Sequence, residues 1–227
     1  MTEIRPLVVQ TEELDEPARN WLAERCDVVS CATREARFAE LLSRATGLIV
    51  RTYTRVDQEL LSHALNLRVV GRAGVGLDRI DVAACRQRGI EVVHTPDANS
   101  AAVAEYVFAL LFDALRPRLF LDRALSEPEW KELRTDLLAK RQLAELTLGI
   151  LGLGRIGRRV ARIARAFGMR VLFHDLRVIP GTDREGAEEV PLDELFTQSD
   201  VLSIHIDPRP QNLRFVSAEL LARLKPD

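Results

Sequence analysis

Three glycines and one aspartate in the second half of the chain have the types and spacing that bind a dinucleotide. Gly152, Gly154 and Gly157 form the pattern G-x-G-x-x-G. Such glycines permit a tight turn, the close approach of backbone to a pyrophosphate, and the packing of a helix on a strand. Asp175 follows at about the 20-residue distance expected of a carboxylate that bonds a ribose hydroxyl. The alternative interpretation is a structural glycine turn in another kind of α/β domain.

These residues can bind one ligand together only if a strand and a helix bring them to the same turn. Residues 148–151 are apolar and predict a buried strand, residues 156–164 carry apolar side chains on one helical face, and residues 170–173 predict a second strand. The N–H groups at the start of the helix would then face the phosphates. A carboxylate at Asp175 repels a 2′-phosphate and favours NAD over NADP. Arg177, two residues later, keeps NADP from being excluded as the cofactor.

The bulk composition is typical of a globular protein and excludes several other classes. The chain has 227 residues, of which 47% are hydrophobic and 29% charged, with a net charge of −2. Length allows one large or two small domains. The sequence has no basic block for nucleic acid, no apolar run that could span a membrane and no signal-peptide pattern. We therefore expect a cytoplasmic protein.

The three cysteines do not form a recognisable metal or disulfide pattern. Cys26, Cys31 and Cys85 are an odd number and lack the spacing C-x-x-C. We expect reduced, mostly buried thiols and no metal site.

The first part of the chain alternates between strand and helix patterns. Five short apolar runs are separated by helical stretches, and this alternation predicts an α/β domain with a parallel sheet over residues 1–97. The predicted strands are residues 6–10, 26–30, 47–50, 67–70 and 90–94.

The second part, residues 98–227, is predicted to be an incomplete nucleotide-binding domain. A long helix over residues 101–115 and a second helical stretch over 119–124 lead to the glycine unit. Residues 147–206 then read as β-α-β-α-β, the first mononucleotide half of a doubly wound parallel sheet, or Rossmann fold. Further helices are predicted over residues 190–196 and 217–224.

Four segments, in the right order, resemble one family, the D-isomer-specific 2-hydroxyacid dehydrogenases, and within it the D-3-phosphoglycerate dehydrogenase group. They are residues 69–96, 99–111, 148–175 and 199–212, and the resemblance runs from Leu48 to the end of the chain. It implies a flavodoxin-like N-terminal domain, a Rossmann domain and an NAD-dependent oxidoreductase. That enzyme would oxidise a D-2-hydroxy acid or reduce a 2-oxo acid.

The same resemblance implies which residues bind substrate and cofactor. The backbone N–H groups of Val75 and Gly76 would hold the substrate carboxylate, and Arg51 and Thr52 would face the same cleft. Arginines 51, 72 and 209 suggest a doubly charged substrate such as a phosphorylated hydroxy acid. The implied cofactor residues are Gly152, Gly154, Arg155, Ile156, Gly157, Asp175 and His205.

Two features depart from the family pattern. Asp207 and Arg209 stand where the family has proline and threonine, which changes the charge beside the cofactor. In the family, the catalytic arginine, its supporting acid and the acid–base histidine all come after one further segment. Residues 221–227 correspond to the beginning of that segment. We therefore assign no catalytic residue and expect a C-terminally truncated, inactive chain.

Two other functions remain open. One is a catalytically inactive NAD-binding protein of the corepressor-like branch, because residues 207–221 are similar to that branch. The other is an oligomerising α/β scaffold, since the helix over residues 101–115 is a candidate surface for a homodimer. Further sequence containing the family's arginine and histidine would favour the dehydrogenase.

Overall fold

The computed structural model describes residues 5–116, 118–138 and 141–226. The chain divides into two compact units, Met1–Asn99 and Ser100–Asp227. None of the helices within the described ranges combines the length and the apolar character needed to cross a membrane.

The first unit is a five-stranded, wholly parallel sheet with strand order β2-β1-β3-β4-β5. This is the flavodoxin-like order, as the resemblance implied. The strands are β1 (Leu7–Gln10), β2 (Asp27–Ser30), β3 (Gly47–Val50), β4 (Val69–Arg72) and β5 (Glu91–His94). The helices are α1 (Glu16–Ala23), α2 (Phe38–Arg44), α3 (Gln58–His63) and α4 (Val82–Gln87).

The central strands of this sheet form the core of the unit because their apolar side chains are covered by helices. Leu48 and Val50 of β3 and Val70 of β4 are fully or almost fully buried. The thiols of Cys31 and Cys85 lie in the same core as free cysteines. A sheet buried in this way presents its carboxyl-end loops as the accessible part of the unit.

The second unit contains a four-stranded parallel sheet with strand order β8-β7-β6-β9. Its strands are β6 (Thr147–Leu151), β7 (Arg170–His174), β8 (Glu188–Glu189) and β9 (Val201–Ile204). Its helices are α5 (Ser100–Leu115), α6 (Glu127–Leu137), α7 (Arg155–Ala166), α8 (Leu192–Gln198) and α9 (Ala218–Leu221). Counted from β6, the order is 3-2-1-4, which is how a Rossmann sheet begins.

The expected β-α-β-α-β pattern is wrong in one respect, because the sheet contains an additional strand, β8. The third strand of that pattern, expected over residues 201–206, is the fourth strand β9 and pairs with the opposite side of β6. The third strand, β8, was missed because it has two residues, both exposed glutamates, and so gives no hydrophobic signal. The strand order therefore reverses at β6, and the crevice between β6 and β9 is where such sheets bind ligands.

Two predicted helices are absent or shorter in the structure. Residues 119–124 are not helical, and Leu119, Phe120 and Leu121 are all exposed, with Phe120 86% accessible. A short helix without a packed apolar face is unstable in water. The helix expected over residues 217–224 is the single turn α9, with Ser217 as its N-cap.

Candidate functional site

Gly152 in the turn after β6 and Gly157 in the first turn of α7 are required by the fold itself. Gly152 has φ +95°, and a Cβ there would lie 2.9 Å from the carbonyl oxygen of His205. A Cβ on Gly157 would lie 2.3 Å from the carbonyl oxygen of Gly152. Both contacts are to backbone, which cannot move aside, so these positions exclude larger residues whether or not a ligand is bound.

Gly154 is different because the space beside it is open. It is the N-cap of α7, with φ −78° and ψ −159°, and no side chain caps the helix. A Cβ on Gly154 would meet only the Nη2 of Arg177, at 4.0 Å. The start of α7 therefore presents backbone N–H groups to an open space, which suits an anionic group such as a pyrophosphate.

Asp175, directly after β7, is held beside this turn. Its Oδ2 accepts a hydrogen bond from the N–H of Leu153 at 2.8 Å, and its Oδ1 accepts one from the N–H of Arg177 at 2.9 Å. The guanidinium of Arg177 bonds the same carboxylate, whose side chain is only 9% exposed. Burial opposes ionisation, but these hydrogen bonds outweigh it and lower the pKa of Asp175.

A second acid–arginine pair lies within electrostatic reach of the first. Arg209 donates hydrogen bonds to Asp207, two residues before it, just as Arg177 does to Asp175. The pKa of Arg177 is raised mainly by Asp175, and the charges of Asp207 and Arg209 also act on it. The two residues that depart from the family pattern thus add a second acid–arginine pair within electrostatic reach of Asp175 and Arg177.

Three of the four histidines contact groups other than carboxylates. His94 Nδ1 lies 2.9 Å from the carbonyl oxygen of Val75, His174 Nδ1 lies 3.1 Å from that of Val190, and His205 Nε2 lies 2.8 Å from Ser203 Oγ. Burial lowers the pKa of His205. An acid–base histidine is usually oriented by a carboxylate, so these contacts do not identify one.

The second group of predicted site residues meets in the first unit. Strands β3 and β4 pair in parallel with Val50 opposite Arg72, and a further bridge joins Val56 to Ile80. The loops after the two strands are therefore fixed at both ends and lie side by side. Between them is a surface cavity of about 270 Å³, lined by residues 50–54, 72, 76 and 78–80.

The lining of this cavity is rich in arginine. Arg51, Arg72 and Arg79 contribute to it, against the single carboxylate of Asp78. Arg72 is fixed over the glycine turn, where its Nη1 donates to the carbonyl of Ala73 at 2.6 Å and its Nε to that of Gly76 at 3.1 Å. Such a site suits an anion of more than one charge.

The structure brings most of the predicted substrate residues together. Arg51, Thr52 and Gly76 line the cavity, whereas Val75 is not among its lining residues. The predicted site residues include neither Arg79, which lines the cavity, nor Glu12, which bonds the loop after β3. Arg79 follows a turn with no distinctive pattern, and Glu12 reaches the loop after β3 across 39 residues of sequence, a separation that no local pattern reveals.

Comparison with known proteins identifies the family of the chain. The family described as "D-isomer specific 2-hydroxyacid dehydrogenase, catalytic domain" matches residues 8–225. A glyoxylate reductase of Aeropyrum pernix is 36% identical over 230 residues, which cover 97% of this chain and 69% of that one. A D-3-phosphoglycerate dehydrogenase of Synechocystis is 31% identical over 221 residues, covering 96% of this chain and only 39% of that one.

A solved structure has the same fold. The D-lactate dehydrogenase of Aquifex aeolicus, crystallised with NAD and lactic acid, superposes with a TM-score of 0.77 at 28% identity. The match covers 96% of this chain and 66% of that one. The glycine turn, the parallel sheets and the match over residues 8–225 agree, and the chain belongs to the D-isomer specific 2-hydroxyacid dehydrogenase family.

Proposed function

We propose that these 227 residues form the NAD-binding and substrate-binding parts of an oxidoreductase acting on the CH–OH group of a D-2-hydroxy acid. The observation that carries this proposal is the open glycine turn at the start of α7, with Asp175 held beside it. The relatives that match the chain act on different acids, so the substrate is argued below from the cavity.

The residues present fit a dinucleotide. The N–H groups at the start of α7 would bond the pyrophosphate above Gly154, with Arg155 and Ile156 in the first turn of the helix. Asp175, ionised because its pKa is lowered, would accept hydrogen bonds from the adenosine ribose. NAD, when bound, supplies or accepts the hydride.

The direct experiment is a titration of NADH into the 227-residue chain, combined with an assay of NADH oxidation in the presence of 2-oxo acids. We expect binding without turnover, because the ring contacts of His94, His174 and His205 are to carbonyls and a hydroxyl. Failure to bind NADH would contradict the proposed function. Turnover would support it and would show that one of these histidines, or another group, transfers the proton.

Asp175 is expected to decide between the two dinucleotides. Asp175→Asn removes the charge that repels a 2′-phosphate and releases Arg177 from its ion pair. We expect NADH affinity to fall and NADPH affinity to rise, changing their ratio by about tenfold, or 1.4 kcal/mol. Titrations with both dinucleotides measure the ratio, with Glu188→Gln, an exposed residue of β8, as the control. An unchanged ratio would contradict the role of Asp175.

We propose that the substrate carries a second anionic group, because three arginines line the cavity. Arg79→Gln should lower the affinity for D-3-phosphoglycerate about fivefold, and less at high salt, since Arg79 is exposed and its charge is screened. D-lactate, with a single charge, should be affected less. Arg55→Gln is the matched control, because Arg55 is exposed and lies outside the lining residues. Equal effects on both acids would contradict this substrate class.

We further propose that α5 forms a homodimer contact with a second copy of the chain. Its inner face packs against α7, with the rings of Phe108 and Phe167 5.7 Å apart. Its outer face exposes Tyr106 and Leu110. Exposed apolar side chains along one helix face are typical of an association surface. Light scattering of the purified chain measures its mass, and a monomer would contradict this assignment.

A further inference from the structure

The carboxylate of Glu12 is surrounded by the backbone of the loop after β3. It accepts hydrogen bonds from four consecutive N–H groups, those of residues 51–54. The N···O distances are 3.1 Å for Arg51, 2.7 Å for Thr52, 3.1 Å for Tyr53 and 3.0 Å for Thr54. Successive N–H groups that converge in this way form an anion-binding nest, and here the anion belongs to the protein itself.

Strand order explains how Glu12 reaches this loop. Strand β1 lies between β2 and β3, so the loops after β1 and β3 leave the same edge of the sheet as neighbours. The contact has two further parts. Arg51 Nη1 donates to the carbonyl of Glu13 at 2.7 Å, and the hydroxyls of Thr11 and Thr54 lie 2.6 Å apart. Residues 11–13 thus hold the whole loop.

Little else fixes residues 51–53. Their side chains are exposed, and that of Tyr53 is 80% accessible, so apolar packing does not set the backbone of the loop. Four N–H groups that point the same way bind a single anionic acceptor well. Burial opposes the charge on Glu12, but the four hydrogen bonds outweigh it and lower its pKa to about 2. The carboxylate is therefore fully ionised at neutral pH.

The loop that Glu12 holds forms one wall of the cavity. With its N–H groups bonded to Glu12, the loop can offer a ligand its side chains but not these four amides. We propose that Glu12 is a positioning residue that fixes the substrate loop at residues 51–54, so that Arg51 stands with Arg72 and Arg79 to receive the anionic substrate. The inference rests on the substrate site proposed above.

Variants at Glu12 test this role through two separate measurements. Glu12→Gln keeps the size of the side chain but places an NH₂ group among the loop donors, and Glu12→Ala removes the acceptor. Hydrogen exchange of the amides of residues 51–54 should accelerate at least about tenfold in both variants, while the strand amides stay protected. The affinity for D-3-phosphoglycerate should fall at least about tenfold, or 1.4 kcal/mol.

Chemical rescue distinguishes positioning from a general loss of structure. Formate can enter the space left by Glu12→Ala and occupy the nest, whereas Glu12→Gln fills that space. We expect added formate to restore both amide protection and ligand affinity in Glu12→Ala, but neither in Glu12→Gln. Glu13→Gln is the matched control, because it removes the same charge one residue away and leaves the Glu13 carbonyl in place.

The outcomes separate this inference from the function on which it rests. If the unaltered chain does not bind D-3-phosphoglycerate, the proposed substrate site fails and the inference fails with it. If the unaltered chain binds and both Glu12 variants bind equally well, only the inference is overturned. Unchanged exchange at residues 51–54 also overturns it, since Glu12 would then not hold the loop.

Discussion

Alanine at position 157 should destabilise the second unit by about 1–3 kcal/mol, the typical cost of forcing an extra carbon into a packed site. The added Cβ would lie 2.3 Å from the carbonyl oxygen of Gly152 and 3.2 Å from Ile150 Cγ2. One of these contacts is to backbone, so α7 must shift away from β6. Because the start of α7 is the proposed pyrophosphate site, NADH binding should be lost together with stability.

Alanine at position 154 should separate the two effects. Gly154 has a negative φ that alanine adopts without strain, and its Cβ would enter open space. Exchange of glycine for alanine at an N-cap should change the unfolding free energy by less than about 1 kcal/mol. The methyl group would stand where the pyrophosphate approaches, so NADH affinity should fall at least about tenfold.

Denaturant unfolding and NADH titration of Gly154→Ala and Gly157→Ala measure both quantities. A Gly154→Ala protein that binds NADH as well as the unaltered chain would show that the cofactor does not approach this turn. A Gly157→Ala protein of unchanged stability would show that α7 and β6 pack less closely than described.

Asp200→Asn should also destabilise the second unit, by about 1–2 kcal/mol near neutral pH. The carboxylate of Asp200 is only 10% exposed, and it bonds Arg141 at 2.9 Å, the N–H of Thr147 at 2.8 Å and Lys225 at 3.1 Å. It therefore joins the segments before β6 and after α9 to the start of β9. Burial opposes its charge, but the three hydrogen bonds outweigh it and lower its pKa to about 2.

The pH dependence follows from that shift. The pKa of Asp200 is lower in the folded state than its ordinary value of 3.8, so its contribution is complete above about pH 4 and is lost as the pH falls towards 2. Urea unfolding at several pH values should therefore show a steeper acid loss in the unaltered chain than in Asp200→Asn. Asp193→Asn is the control, because Asp193 is 73% exposed and its pair with Arg223 should contribute less than about 1 kcal/mol. Equal acid dependence in all three proteins would contradict this account.

The geometry of the candidate cofactor turn could be predicted closely from sequence because its determinants are local. The glycines, the helix that follows them and Asp175 all lie in one βαβ unit, and the structure places them around one turn. The positions of Gly152 and Gly157 depend on backbone sterics, which a short pattern encodes directly. Strand β8 could not be predicted, since two exposed glutamates carry no hydrophobic period.

The candidate substrate cavity depended on tertiary structure. The sequence pointed to Arg51, Thr52 and Gly76 only through resemblance, and only the pairing of β3 with β4 put their loops on one cavity. Arg79 lines the same cavity because the bridge between Val56 and Ile80 holds its turn in place.

Local sequence patterns were enough to predict both parallel sheets, the glycine turn and the carboxylate that accompanies it, because each follows from hydrophobic period or backbone geometry within a few tens of residues. The reversal of strand order at β6 and the bonding of Glu12 to the loop of residues 51–54 became apparent only in the folded chain. Both features arise where strands distant in sequence become neighbours in a sheet. Hydrogen bonds across that edge depend on strand order, which no local pattern specifies.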